Sequence, residues 1–417
     1  MQTLQLPRSL IKPYTNKAIS ILLGEVQLFV LIFPFADFFV TFGKWINLTS
    51  LTNFLTTALA GASIIYLILR RRLDITLSNS ILLFGFIAYL LISFYWVHPL
   101  MLSDAKSFTL RTLLAIIQTL VIVQVFAERS EDEMLDVLKR FAIIITILSF
   151  LSIVLFPSES SWTIDDSGRK QSFYSSPNNL GQFLAFAFLI INFYKRKEMH
   201  IGWLLLLDLI ILYQVNQCDS KTSLTGVIVC FACYHFRFLL KPLFYLVIAI
   251  GISLPIYTNV TQQSKYVQKI DFANRDLSFT GRSDVWDIMI NDIDKTHKEL
   301  FGFGSGGYWG EKITHPKAGI DELDWEPHQG HNGYLDIRLM GGFIGFVIFI
   351  LFLLHFIGML FRKASYDNVI LIFTTLIILI NNITESSLFR GKHFYFILFM
   401  LIYWFINQVS EKKSRQL

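Results

Sequence analysis

Hydrophobic residues occur in long runs along this chain, and short polar segments separate the runs. A transmembrane helix needs about 20 predominantly apolar residues, and most of these runs approach that length. The runs predict helices at residues 19–42, 51–69, 79–97, 109–127, 140–156, 177–194, 202–217, 223–236, 239–258, 333–361, 367–383 and 392–408. The pattern therefore predicts an all-α polytopic membrane protein with about twelve transmembrane helices, forming a single membrane domain over residues 1–417.

Composition agrees with a membrane protein. Hydrophobic residues make up 53% of the chain and charged residues only 16%, whereas soluble domains carry about 25% charged residues. The net charge is +5, but the basic residues form short clusters between apolar runs, which is typical of cytoplasmic membrane loops and argues against nucleic-acid binding. The cysteines, at positions 218, 230 and 233, are interpreted as small buried hydrophobic residues without a disulfide framework.

The distribution of Lys and Arg predicts the orientation of the chain. Clusters such as those at 70–72 and 195–197 fall in alternate inter-helix segments, and such segments face the cytoplasm. Both termini are then cytoplasmic. Residues 259–332, between the ninth and tenth predicted helices, form one large extracytoplasmic loop.

This loop contains one amphipathic segment. Trp286, Ile290 and Ile293 recur on one helical face, which predicts a helix at 283–299 that ends before Gly302. The glycine and aromatic residues of 301–310 follow no strand, and we interpret them as a flexible turn and not as a dinucleotide-binding loop.

Two residues of the loop are candidates for chemistry. Arg282 lies at the predicted start of the loop helix, where unpaired backbone N–H groups already favour an anion, so it is either a phosphate ligand or a solvated surface arginine. His331 lies where the loop re-enters the membrane and has the chemistry to accept a proton from a hydroxyl. His328 makes a metal pair conceivable, although the spacing matches no metal motif. A polar cap is the alternative for both histidines.

Basic residues also lie in the short outer segments. Arg169 and Lys170 precede the sixth predicted helix, and Lys221 lies between the seventh and eighth. Together with Arg282 they indicate an anionic, lipid-linked ligand. Lys221 pairing with Asp219, and solvated loop faces in general, are the alternatives.

Polar residues at other helix ends complete the candidate set. Asn178, Asn179 and Gln182 place amides at the mouth of the sixth helix. These amides suit sugar hydroxyls or helix–helix hydrogen bonds. Glu385 is a candidate acid–base group or orienting partner. Asp208 lies within an apolar run and is expected to be tied into a helix–helix hydrogen bond, since an intramembrane acid is costly.

A set of motifs occurs in a fixed order along residues 155–390. These are SSPNNLGQ, DSKTSL, LSFTGRSDVW, GFGSGGYW, HNGYLDIRLMGGFIG and NNITESSLF. With the long loop before the tenth helix, this set resembles the O-antigen ligase and polysaccharide polymerase superfamily, and is most similar to its exopolysaccharide polymerase branch.

The resemblance implies a C-type glycosyltransferase fold in the bacterial inner membrane, with the active site on its outer side. It implies transfer of a glycan from undecaprenyl diphosphate to a sugar hydroxyl without a metal or other cofactor, beside other polysaccharide-assembly proteins. The family's loop arginine corresponds to Arg282 and its loop-end histidine to His331. A second family arginine corresponds to Lys221, which keeps the charge but lacks the bidentate fork.

Three alternatives stay open at the level of sequence. Within the family, the acceptor is another lipid-linked glycan for a polymerase and the lipid A core for a ligase. Outside it, a twelve-helix proton-coupled transporter would use Asp208 or Glu25 as a relay, although no matching halves are seen. A non-catalytic scaffold or flippase partner is the third.

Overall fold

Helices form nearly all the regular structure in the described part of the chain. The computed structural model describes residues 21–32, 48–69, 77–127, 132–156, 168–174, 176–260, 271–272, 275–276, 282–309, 329–363, 369–391 and 393–414. The α-helices are α1 (Gln27–Ile32), α2 (Leu48–Leu69), α3 (Leu77–Ile92), α4 (Leu102–Ala127), α5 (Glu133–Leu155), α6 (Pro177–Phe193), α7 (Ile201–Cys218), α8 (Lys221–His235), α9 (Leu240–Val260), α10 (Arg282–Lys295), α11 (Gly333–Lys363), α12 (Val369–Thr384) and α13 (Phe394–Ser414). Strands β1 (Asp271–Phe272) and β2 (Arg275–Asp276) pair antiparallel.

Shorter helical turns extend or connect these elements. A π-helical turn, Leu22–Val26, leads into α1, and 3-10 turns occupy Ser93–Trp96, Pro99–Met101, Arg196–Glu198 and Arg237–Leu239. Every predicted run contains a helix, although residues 33–42 of the first run lie outside the described residues. The fourth helix begins at Leu102 instead of residue 109, because Asp104 and Lys106 lower the hydropathy of its first turns without interrupting helical geometry.

Five helical segments are long and apolar enough to cross a membrane by length and composition. They are Ser78–Trp96, Pro99–Ala127, Glu133–Leu155, Ile201–Cys218 and Gly333–Arg362. The other apolar helices among the described residues are shorter, so twelve crossings stay a prediction. Exposed leucines on α7, such as Leu205 and Leu209, give that helix an apolar outer surface, which is what a lipid-facing helix requires.

Helix α12 packs against α6, α8 and α11 and is buried along most of its length. Small residues allow the close approach of these helices. The α6 backbone at Gly181 lies against Ser220, which precedes α8, and against Ser223 of α8. Gly333 at the start of α11 lies against the Asn382 side chain, so that a Cβ at either glycine would overlap its neighbours. The ends of these helices therefore meet in one region.

The loop helix α10 packs on the first part of α11. Trp286, Met289, Ile290 and Ile293 form a buried cluster that includes Leu335 of α11. The predicted apolar face is thus confirmed. The predicted range of 283–299 is wrong at its end, because the helix stops at Lys295.

Helix α11 is broken at Gly342. This glycine has φ 59° and ψ −161°, a backbone conformation that is essentially restricted to glycine. The N–H groups that follow the break are bound by the loop: the Phe343 N–H donates to the Glu299 carbonyl at 2.7 Å, and the Ile344 N–H donates to the Leu300 carbonyl at 3.2 Å. The loop therefore supplies the hydrogen bonds that the broken helix lacks.

The glycine-aromatic stretch that follows α10 is hydrogen-bonded to α11 beside the same break. Its prediction as a flexible turn is therefore wrong. The Phe303 N–H donates to the Leu339 carbonyl at 2.8 Å, and the Gly304 N–H donates to the Met340 carbonyl at 2.9 Å. Gly302 does not end the loop helix. It has a φ of 69°, and a Cβ there would overlap the Gly342 backbone.

Candidate active site

The turn after α12 presents a carboxylate at the junction of four helices. The Asn382 side-chain oxygen accepts hydrogen bonds from the N–H groups of Ser387 and Leu388, both at 3.1 Å. The Glu385 N–H donates to the Asn381 carbonyl at 2.9 Å. The two asparagines therefore fix the backbone from which the Glu385 side chain leaves.

Arg282 binds this turn from the first residue of α10. Its Nη1 donates to the Thr384 carbonyl at 2.6 Å, and its Nη2 donates to Glu385 Oε1 at 2.7 Å. The side chain is 17% exposed and that of Glu385 is 7% exposed. A charge-assisted pair in such a shielded place is stronger than a surface ion pair. Arg282 is thus not a solvated surface arginine.

His331 binds the other oxygen of the same carboxylate. Its Nδ1 lies 2.9 Å from Glu385 Oε2. An ionised carboxylate only accepts hydrogen bonds, so Nδ1 donates to it, and in the neutral form of the imidazole the lone pair is then on Nε2. His331 adopts a φ of 47° immediately before Asn332, which caps α11 by accepting from the N–H groups of Tyr334 and Leu335, both at 3.0 Å.

Two amides complete the surroundings of Glu385. Asn178 Nδ2 donates to Oε1 at 2.8 Å, and Gln329 Nε2 donates to Oε2 at 3.3 Å. Burial disfavours ionisation of Glu385, but the hydrogen bond and electrostatic interaction with His331 and the positive charge of Arg282 outweigh it, and the pKa of Glu385 is lowered. The carboxylate is therefore ionised at neutral pH.

We call the residues joined in this way the Glu385 cluster. They are Asn178, Arg282, Gln329, His331, Glu385 and Arg390, whose Nη1 donates to Gln329 Oε1. Arg282 and His331, 49 positions apart in sequence, thus meet through one carboxylate. Glu385 contacts both of them, as expected of an orienting partner.

The other predicted site residues are placed differently. Lys221 is the exposed first residue of α8, next to Thr222, whose hydroxyl lies 3.0 Å from that of Thr384. Within the described residues it makes no hydrogen bond or ion pair with Asp219 or with the Glu385 cluster. Arg169 is half-buried near the end of α7, where the next residue donates its N–H to the Gln217 carbonyl at 3.0 Å.

The α6 amides have different partners. Asn178 is bonded to Glu385, and the Asn179 N–H donates to the Ser176 hydroxyl at 3.2 Å, which caps α6. Substrate binding by the Asn179 side chain stays a prediction. Gln182 Nε2 donates to Asn381 Oδ1 at 2.8 Å, so this amide serves a helix–helix hydrogen bond. His328 lies outside the described residues.

Sequence reasoning did not select Gln329 or Arg390. Gln329 lies two positions before His331, and Arg390 five positions after Glu385. The available signal was that Gln329 and Arg390 are polar residues close in sequence to candidates that were selected. No periodic pattern indicates that Gln329 and Arg390 point at one another, because 61 positions separate them.

A family model described as O-antigen ligase matches residues 220–350. The matched segment is less than half of the chain. This match confirms the family resemblance, and it supports a membrane glycosyltransferase-like function in the assembly of O-antigen or another polysaccharide. No curated protein matches the chain.

The matched segment contains Lys221, Arg282, Gln329 and His331 and ends before Glu385. Together with the apolar helices, this match indicates a membrane protein. The Glu385 cluster therefore combines residues of the matched segment with residues of α6 and of the turn after α12.

Proposed function

We propose that this protein is a membrane glycosyltransferase that transfers a glycan from undecaprenyl diphosphate to a sugar hydroxyl and so polymerises exopolysaccharide or O-antigen repeat units. The observation that carries the proposal is the joining of Arg282 and His331 by Glu385 in a shielded cluster. A guanidinium and a neutral imidazole are the groups that a diphosphate leaving group and an attacking hydroxyl require.

The reaction breaks one bond and forms one bond at the anomeric carbon. The acceptor hydroxyl oxygen attacks this carbon while the bond to the diphosphate oxygen breaks, and the bonding electrons leave with the diphosphate. Arg282 neutralises the charge that develops there. His331 accepts the hydroxyl proton on Nε2, because its Nδ1–H is donated to Glu385. This scheme uses no metal.

Glu385 acts as a positioning residue in this scheme. It fixes the imidazole tautomer and stabilises the imidazolium that forms when the proton is accepted, as a carboxylate does in other His-carboxylate pairs. Its second oxygen binds Arg282 before the donor arrives. The diphosphate then competes with Glu385 for this guanidinium.

The acceptor distinguishes polymerase from ligase. A polymerase uses a second lipid-linked glycan, whereas an O-antigen ligase uses the lipid A core, and we favour the former from the sequence of the loop. The transporter alternative relied on Asp208 or Glu25 as a proton relay. Asn192 of α6 donates to Asp208 of α7 at 2.7 Å, which confirms the expected helix–helix hydrogen bond and supports a structural role.

The proposal includes the topology. Twelve crossings with cytoplasmic termini would put residues 259–332 and the Glu385 cluster on the outer side of the inner membrane, where lipid-linked glycans are polymerised. Single cysteines introduced at Lys317 and Lys197 test this in cells, using a membrane-impermeant maleimide. Labelling at 317 and not at 197 is expected, and labelling at 197 from outside would refute this topology.

The catalytic proposal is tested with purified protein in lipid nanodiscs and an undecaprenyl-diphosphate-linked oligosaccharide. Arg282→Ala and His331→Ala should each abolish polymer formation, and Asp208→Asn should retain it. Adding lipid A core as the competing acceptor separates the ligase from the polymerase. Polymer formation by both alanine variants at the wild-type rate would refute the catalytic roles, and proton-coupled uptake that is lost in Asp208→Asn would restore the transporter reading.

A further inference from the structure

The positive charge of Arg282 is already offset in the structure. Its guanidinium binds the Glu385 carboxylate and the Thr384 carbonyl. A diphosphate that links a lipid to a sugar carries about two negative charges, and a buried or half-buried anion needs compensating charge and hydrogen bonds. Arg282 and Glu385 together supply almost no net charge, so the anion needs a further cation.

Arg390 joins the same cluster through Gln329. Its Nη1 donates to Gln329 Oε1, and Gln329 Nε2 in turn lies 3.3 Å from both Glu385 Oε2 and His331 Nδ1. Only one amide side chain therefore separates the Arg390 guanidinium from the carboxylate that holds Arg282 and His331.

The Arg390 backbone is held on both sides. The Phe389 carbonyl accepts from the Thr112 hydroxyl at 3.3 Å, and the Phe389 ring is fully buried. Gly391 lies so close to the Arg111 backbone that a Cβ would overlap it, and the His393 N–H donates to the Arg390 carbonyl at 2.8 Å. The guanidinium is therefore presented from a fixed position, which reduces the entropy lost when it binds a ligand.

No carboxylate offsets the charge of Arg390 within the described part of the chain. The one acceptor that the structure gives it there is the neutral amide of Gln329, and a guanidinium has five N–H donors. Its charge also reaches His393: burial and the neighbouring Arg390 lower the pKa of that imidazole to about 4. Arg390 thus brings net positive charge and donors to the cluster.

We infer that Arg390 is a second diphosphate-binding arginine, and that Gln329 holds its guanidinium in place until the donor binds. The inference rests on the proposed function and names a further ligand for the same donor. Arg282 and Arg390 would approach the two phosphates from opposite sides of Glu385 and Gln329. Guanidinium groups suit this because each can bind two phosphate oxygens.

Binding of undecaprenyl diphosphate and of undecaprenyl monophosphate to the purified protein in nanodiscs tests the inference. Loss of one charge-assisted contact corresponds to roughly 10- to 100-fold in Kd. Arg390→Ala and Arg390→Gln should weaken diphosphate binding by about that factor and monophosphate binding by less. Arg390→Lys should retain part of the affinity. Arg140→Ala is the matched control, because Arg140 is an exposed arginine on α5, and it should bind like wild type.

The outcomes separate this inference from the proposed function. Wild-type diphosphate affinity in Arg390→Gln, together with weakened affinity in Arg282→Ala, would overturn the role of Arg390 and leave the proposed function intact. Failure of the wild-type protein to bind undecaprenyl diphosphate would overturn both. Arg390→Gln keeps a long side chain with hydrogen-bonding groups, so it decides the question if Arg390→Ala does not fold, as judged by size-exclusion chromatography.

Discussion

Replacing Glu385 by glutamine separates the positioning of the base from the binding of the donor. The substitution preserves size but leaves one acceptor oxygen where the carboxylate has two. In the wild-type structure, these two oxygens bind Arg282 at 2.7 Å and His331 at 2.9 Å. The amide can accept from one of these donors, and its own N–H groups then face the other.

The expected size of the effect follows from these two contacts. Hydrogen bonds to charged groups contribute about 1.5–3 kcal/mol each, and glutamine retains one of the two. Loss of the contact to His331 means that the imidazole hydrogen is no longer fixed on Nδ1, and kcat falls by roughly 10- to 150-fold. The affinity for undecaprenyl diphosphate should not fall, because the carboxylate that competes for Arg282 has been removed.

Single-turnover rates and donor binding, both measured in nanodiscs, give the two quantities separately. Asp208→Asn is the matched control: it makes the same acid-to-amide change at a carboxylate in α7 that is bonded only to Asn192 among the described residues. A kcat for Glu385→Gln within threefold of wild type would refute the positioning role. A parallel loss of donor affinity would show that Glu385 supports the phosphate site instead.

Three further predictions concern single side chains. Lys221→Arg should retain or increase polymer formation and Lys221→Ala should reduce it less than the loss of Arg282 does, as measured by the length and yield of product. Gly342→Ala should lower the free energy of unfolding by at least about 1–3 kcal/mol, because the backbone conformation at Gly342 is unfavourable for any residue with a Cβ. The added Cβ would also overlap the Leu300 backbone. Thermal unfolding in detergent measures the effect, with Gly358→Ala as a control in the same helix. His393 has a pKa of about 4 when folded and about 6.5 when unfolded, so the unfolded chain binds more protons between these values. Stability should therefore fall as the pH drops from about 6.5 to 4, and His393→Gln should flatten this slope in melting curves recorded across that range.

The helices could be predicted because apolar runs are a local property of the sequence. Their ends could not always be predicted, since polar residues such as Asp104 and Lys106 lie inside the first turns of α4. The break at Gly342 was not predicted either, although Gly341 and Gly342 form a pair of helix-weakening residues. The N–H groups that follow the break donate to carbonyl groups more than 40 positions earlier in the chain. The sequence pattern does not reveal these hydrogen bonds.

The candidate site was predictable where a residue type and its position agreed. Arg282 at a helix start and His331 at a loop end were selected on that basis, and Glu385 was selected as an acid–base group or orienting partner. Asn178 was not distinguished from Asn179, because neighbouring positions at a helix start differ only in the direction of their side chains. Glu385 contacts Asn178 across 207 positions, and this pairing follows from the packing of α12 against α6.

The hydrogen bonds around the break in α11 also determine which parts of the loop are able to open. Residues 299–304 and 339–344 exchange four backbone hydrogen bonds, with two donors from each segment. Separating the segments breaks all four at once, and in an apolar environment each unpaired group costs several kcal/mol. The hydrogens of the four donating amides should therefore exchange with solvent at the same rate, as one cooperative unit. An opening that admits a long glycan has to leave these four bonds in place and bend the chain elsewhere.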